Sequence, residues 1–132
     1  AMTAGHDILL PAATAANGGM HIKVIIGIPQ TAAFAIGPAS GSLLVGAATF
    51  IGDATAGVTT GNPALVQSLV ATGNKSVALD GNAEAKGGDA GTILDFYYTG
   101  EASRIVFSGS VTADVENPTG ASFFSTSQVA MS

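Results

Sequence analysis

The chain has 132 residues, no cysteine and a formal net charge of −5 at pH 7, from nine acidic residues against four lysines and arginines. This length predicts a single domain, and the missing cysteine excludes disulfides, thiolate metal sites and a cysteine nucleophile. Only 10% of residues are charged, and four dispersed cations do not form the basic stripe that nucleic-acid binding requires. A surface so poor in charge favours coverage by copies of the chain or by a larger assembly.

The apolar runs are short. Val24–Ile28 is among the longest, whereas a membrane-spanning helix needs roughly 20 apolar residues. We therefore expect no membrane partner.

The N-terminal part of the chain is predicted to contain two strands. Residues 1–5 are expected to form a flexible arm, and His6–Pro11 a short edge strand, because the proline that ends it cannot donate into a ladder. Met20–Ile28 follows as a stronger strand, with His21 and Lys23 on one face and apolar residues on the other.

The middle of the chain is predicted to form short strands punctuated by glycine, proline and aspartate, which is typical of sandwiches and barrels. Pro63–Thr72 is the exception, because its apolar residues recur at helical spacing behind an asparagine cap and a proline. We predict a short helix there, with a strand as the open alternative. The predicted strands are Ala33–Ile36, Ser42–Ala47, Thr49–Ile51 and Ser76–Asp80.

The strongest pattern runs from Thr92 to Val111, where two runs rich in Ile, Phe, Tyr and Val flank the polar segment Thr99–Ala102. It predicts a β-hairpin at the centre of the core. Its second strand is expected to continue past Gly109, with a bulge or bend at that glycine. Strand spacing places Leu94, Phe96 and Tyr98 on one face of the first strand and Ile93, Asp95 and Tyr97 on the other. On the second strand it places Ile105 and Phe107 on one side and Arg104 and Val106 on the opposite side.

The C-terminal residues 121–132 are expected to add a last strand or to contact a neighbouring subunit. The whole pattern predicts one all-β domain over residues 1–132, a small antiparallel β-sandwich or barrel of jelly-roll type with eight to ten short strands and one short helix at most.

No catalytic or cofactor site is predicted. His6 and His21 are the only imidazoles, no serine stands in a G-x-S-x-G motif, and no glycine pattern for a dinucleotide or phosphate loop is present. Asp80-Gly81-Asn82-Ala83-Glu84 begins like a calcium loop, but the glycine and the final glutamate of that motif are missing. We expect a solvated acidic loop there, a surface or interface role for His21, and no enzyme activity.

Four aromatic side chains are predicted interface residues. Tyr97 and Tyr98 are adjacent on a strand, so their rings point to opposite faces; one is expected in the core and the other at an interface or a sugar-binding patch. The open alternative is that both rings pack at the rim of the core. Phe123 and Phe124 form an apolar pair in an otherwise polar tail, which favours docking on a neighbour.

The order of several segments resembles that of small β-structured virion proteins of tailed bacteriophages, the capsid decoration (cement) proteins and short tail or fibre modules. The resemblance rests on four segments: Ile8–Ala13, with Leu-Pro-Ala-Ala; Met20–Gly27 after two glycines; Ala90–Tyr98; and Ile105–Gly109.

The resemblance implies a protein of the capsid surface that binds the major capsid protein, stabilises the head and forms a homo-oligomer, with a trimer favoured. The alternative that it implies is a receptor- or glycan-binding module of a tail fibre or adhesin, with an exposed tyrosine in the sugar site. No residue-level site is carried over, and no cofactor or metal is implied.

Overall fold

The computed structural model describes residues 7–38, 41–52, 66–80, 87–113, 124–125 and 129. These residues form nine strands in two packed sheets and a single 3₁₀ turn at Ala15–Asn17, which confirms the predicted all-β sandwich; no closed barrel is present in this part of the chain. The same residues include no helix with the length and apolar character needed to cross a membrane. The strands are β1 (Ile8–Leu10), β2 (His21–Ile25), β3 (Ala33–Pro38), β4 (Leu43–Gly52), β5 (Val66–Asn74), β6 (Ser76–Asp80), β7 (Ile93–Tyr97), β8 (Arg104–Ala113) and β9 (Phe124–Ser125).

The sheets are of mixed type rather than purely antiparallel. One has the strand order β1-β3-β6-β9 and the other the order β2-β7-β8-β4-β5. Most neighbouring strands are antiparallel, as predicted, but β1 with β3 and β4 with β8 are parallel. A parallel neighbour needs a crossover connection, so each sheet joins strands that lie far apart in the chain.

The predicted hairpin lies at the centre of the core. β7 and β8 pair in antiparallel register, with Phe96 opposite Phe107, and these two rings lie 5.4 Å apart at a tilted angle of 40°. The alternation along both strands is the one predicted from the sequence. Buried apolar residues from both sheets surround the two rings: Leu10, Ala13, Ile26, Phe34, Ile36, Leu44, Ala48, Val77, Leu79, Leu94, Tyr98, Ile105 and Val111.

Tyr98 connects the end of the hairpin strand to the N-terminal loop. Its backbone N–H donates to the carbonyl of Met20 at 2.9 Å, and its own carbonyl accepts from Gly19 at 2.7 Å. The phenol donates to the carbonyl of Pro11 at 2.8 Å. Burial raises the pKa of this phenol above its ordinary value of 10.0, because the apolar surroundings disfavour the phenolate.

Three local predictions are wrong. The segment predicted as a helix is strand β5 from Val66 onward, where the ladder with β4 overrides the helical spacing; residues 63–65 lie outside the described residues. The two strands predicted over residues 42–51 are one strand, β4. No bulge occurs at Gly109, since β8 pairs there in continuous register with both of its neighbours; the irregular step lies between Leu44 and Val45, in the β4–β5 ladder.

Gly46 allows the close approach of the two central parallel strands. It has a φ of +151°, and a β-carbon built on it would overlap the carbonyl of Phe107 on β8. Gly46 and Phe107 are partners in the ladder, so a side chain here would push the two longest strands of the sheet apart.

Replacing Gly46 with alanine is therefore expected to lower the free energy of unfolding by about 3 kcal/mol, the upper range for overpacking in a well-packed core. Urea unfolding followed by circular dichroism measures it. The matched control is Gly27→Ala, since a β-carbon on Gly27 has no atom within 4 Å; this change should stay within about 0.5 kcal/mol. Equal effects of the two substitutions would contradict the close contact between β4 and β8.

The raised pKa of Tyr98 gives a second prediction. The chain has two tyrosines and no tryptophan, so Tyr97→Phe leaves Tyr98 as the sole phenol. The midpoint of its tyrosinate titration should lie above pH 10.0 in the folded protein and at about pH 10 in denaturant.

Because the folded pKa lies above the unfolded one, the stabilising contribution of Tyr98 is complete below about pH 10 and is lost as pH rises through the folded pKa. The free energy of unfolding of the Tyr97→Phe variant should fall over that interval, and Tyr98→Phe should remove this part of the pH dependence. A Tyr98 phenol that titrates at or below pH 10.0 in a folded chain would refute the prediction.

Candidate functional surface

The five-stranded sheet turns one face to the core and the other outward. We call the outward side the outer face. It is formed by alternate residues of β2, β7, β8 and β4, because successive side chains of a strand point to opposite faces. These are His21, Lys23, Ile25, Ile93, Asp95, Tyr97, Arg104, Val106, Ser108, Ser110, Thr112, Leu43, Val45, Ala47, Thr49 and Ile51.

A polar cluster lies at the β2–β7 side of the outer face. His21 and Lys23 stand on β2 beside Tyr97 and Asp95 of β7. The Asp95 Oδ1 atom lies 2.6 Å from His21 Nε2 and 3.6 Å from Lys23 Nζ. One carboxylate thus serves both basic side chains, and it is the least exposed of the three groups. Exposed pairs of this kind contribute about 1 kcal/mol or less to stability.

Tyr97 continues this cluster as an aromatic stack. Its ring is parallel to the His21 imidazole within 11°, with the ring centres 4.4 Å apart. Tyr97 remains partly open to solvent, with 40% of the residue exposed. The imidazole therefore covers one side of the only tyrosine on the outer face.

The β8 and β4 part of the outer face has a different chemistry. Of its ten outward positions only Arg104, at one end, is charged; its Nε atom lies 3.6 Å from the Glu101 carboxylate. Val106 and Ile51 are exposed aliphatic residues. The remaining positions carry small, hydroxyl or aliphatic side chains: Leu43, Val45, Ala47, Thr49, Ser108, Ser110 and Thr112. A sheet face in contact with water normally carries polar side chains, whereas half of these ten positions are aliphatic.

An apolar cleft of about 470 Å³ lies beside the end of β2. Ile8 of β1 and Phe34 of β3 line it from the other sheet, and residues 24–28 line it from β2 and the segment that follows. Ile25 and Ile28 are 63% and 54% exposed. The two sheets thus leave apolar surface uncovered where the edge strands β1 and β2 lie, and Ile25 belongs both to this cleft and to the outer face.

The four predicted interface aromatics lie in different surroundings. Tyr98 is the core member of the tyrosine pair, with 3% exposure, and Tyr97 is the surface member. The backbone of Phe124 is part of β9, which pairs with β6 of the same chain, so the tail adds a last strand at this point. Phe123 lies outside the described residues.

Among the described residues, the histidine and acidic side chains considered for catalysis or metal binding do not lie together in one site. His21 is a surface residue of a strand, as predicted, and no hydroxyl group is hydrogen-bonded to it in the part of the chain described. Asp7 accepts the backbone N–H of Ala35 at 2.8 Å and so holds the edge of the smaller sheet; His6, the other histidine, lies outside the described residues. Residues 81–86 of the acidic loop after Asp80 also lie outside them. No three His, Asp or Glu side chains gather as a metal site among the residues described.

Strand spacing places His21 with Lys23, and Asp95 with Tyr97, on strand faces, but it does not pair the two strands. The signal that would have paired them is their complementarity. Two basic groups at alternate positions of one strand match a carboxylate and an aromatic ring at alternate positions of another, and cross-strand pairs of this kind stabilise sheets.

A scan against models of protein families, a search of curated proteins and a search of solved structures each gave no match. The fold and the two surfaces, the outer face and the apolar cleft, are thus the observations from which a function is inferred.

Proposed function

We propose that the protein is a structural component of a bacteriophage particle, a capsid decoration protein that binds the major capsid protein as a homo-oligomer and stabilises the head. It acts without a cofactor and without catalysis. The location on the capsid surface and the preference for a trimer follow from the sequence resemblance described above.

One observation supports an assembly role above all: large apolar side chains are exposed on two surfaces of a small, charge-poor sandwich. Soluble monomers rarely expose contiguous apolar patches of more than a few hundred Å². All but one of these residues lie on the outer face or line the cleft, with Ile25 common to both; Leu9 lies on β1 of the other sheet. They are Leu9, Ile25, Ile28, Ile51, Ile93, Tyr97 and Val106.

Burial of these apolar surfaces is sufficient to attach the protein to a capsid, without any chemical step. Specific interfaces bury roughly 1,200–2,000 Å² in total, with a core depleted in charge. A decoration protein repeats its contact around a symmetric lattice, so that modest contacts add up to lasting attachment.

The alternative function, glycan binding on a fibre or adhesin, is favoured by the partly exposed Tyr97 ring beside the Asp95 carboxylate. Sugars bind through aromatic faces and carboxylate hydrogen bonds. However, His21 stacks on one side of this ring at 4.4 Å, which leaves at most the other side for a sugar. The assembly function therefore accounts for more of the exposed surface.

Binding to capsids assembled without the protein tests the proposal. The purified chain should co-sediment with them, saturate at a fixed ratio to the major capsid protein and raise the temperature at which the shells break. Ile25→Glu, at the most exposed of the large apolar residues, should weaken binding about tenfold or more, since it places a charge in a desolvated contact. Ala16→Arg, on the exposed 3₁₀ turn, is the matched control and should bind like the wild type.

Failure of the wild-type chain to bind these capsids would refute the decoration function. Specific signals on a glycan array, lost in Tyr97→Ala, would instead support the fibre or adhesin alternative.

A further inference from the structure

We infer that the outer face is the self-association surface of the protein, where it packs against the same face of another copy. This deepens the proposed function, because it names the surface through which the homo-oligomer forms. The cleft edge then remains free for other contacts.

The composition of the outer face is the first step. Its centre, on β8 and β4, consists of aliphatic and hydroxyl side chains, including Ala47, Ser108 and Val106. It lacks the long charged side chains whose ordering opposes association. Charged residues are depleted at the cores of protein interfaces and retained at their rims. Here the only described charges on the face lie at its margins, in the Asp95 cluster on β2–β7 and at Arg104.

The charges at the margins are already paired within the chain. Asp95 holds both His21 and Lys23, and Glu101 lies beside Arg104. The face thus offers little net charge for an acidic or basic partner to recognise. When the face is covered by a partner, these charged side chains need no oppositely charged group from that partner.

An identical face is a chemically suitable partner. Serine and threonine hydroxyls both donate and accept hydrogen bonds, so Ser108 and Ser110 of one copy can pair with the same groups of another. Small side chains also allow two sheets to approach to the spacing of about 10 Å seen in stacked sheets. A two-fold symmetric dimer needs a surface that is complementary to itself, and the side chains of this face are chemically compatible with such a contact.

The size of the face is close to what an interface needs. The four strands that form it have ten, ten, five and five residues. With a rise of about 3.3 Å per residue and a strand spacing of about 4.8 Å, they span on the order of 500 Å². Two such faces bury about 1,000 Å² in total, the lower limit expected of a biological interface.

Analytical ultracentrifugation over micromolar to millimolar protein tests the inference. The wild-type chain should sediment as a dimer, because a contact between two identical faces joins two copies. Ala47→Arg places a charge at the centre of the face and should weaken self-association about 100-fold or more, because an unpaired charge would be buried in each copy. The matched control Ala16→Arg should associate like the wild type. Ser108→Arg, on the neighbouring strand at the same level, is the second variant and should act like Ala47→Arg.

Thermal unfolding and circular dichroism establish that the variants are folded. A wild-type chain that remains monomeric throughout this range would overturn the inference, as would a folded Ala47→Arg or Ser108→Arg variant that associates like the wild type. Capsid binding separates this inference from the proposed function. A wild-type monomer that still binds capsids refutes self-association alone, whereas a wild-type oligomer that ignores capsids refutes the decoration function alone.

Discussion

The contact between Phe96 and Phe107 at the centre of the hairpin is the interaction on which the rest of the structure depends. Both rings point inward, and the two-residue period of a strand then fixes the direction of every neighbour on β7 and β8. Asp95 and Tyr97 must face outward because Leu94 and Phe96 face inward. The same alternation that builds the core therefore builds the outer face.

How much of this was predictable depends on the strand. The patterns of the hairpin and of β2 predict their structure correctly, since one face of each strand is apolar and the other carries its charged and polar residues. The pattern of β5 does not, because apolar residues occupy both sets of alternate positions, as in Val66, Leu69 and Val70, and such a strand has no period of two to detect. Gly109 was read as a bend, whereas a β-carbon there would lie 2.7 Å from a methyl group of Leu94. This is a requirement of packing that only the pairing of β7 with β8 reveals.

The candidate surface was less predictable than the fold. Sequence periodicity assigned His21 and Tyr97 to strand faces, but their stack depends on β2 lying beside β7 in a particular register. The parallel pairing of β4 with β8 was likewise hidden, because no local signal specifies which distant strands become neighbours. Composition predicts more of the surface. The chain has few charged residues, and the centre of the outer face is almost uncharged.

The arrangement of charges connects the surface to the proposed role. A protein with so few ionic groups keeps several of them in local clusters around single carboxylates, such as Asp95. The rest of the surface recognises a partner through its shape, its aliphatic groups and its hydroxyl groups. These features suit long-lived contacts that repeat across an assembly. They suit less well contacts that form by electrostatic steering and dissociate quickly.

The parallel ladder between β4 and β8 also has a consequence for synthesis of the chain. Leu43 pairs with Arg104 and Gly52 with Ala113, so the middle of the larger sheet cannot close until β8 has left the ribosome. Until then β4 can pair only with β5, and its other edge is unpaired. Pairings between distant segments form slowly, and open strand edges invite wrong partners. Newly made chains are thus most vulnerable to aggregation in the interval before β8 emerges.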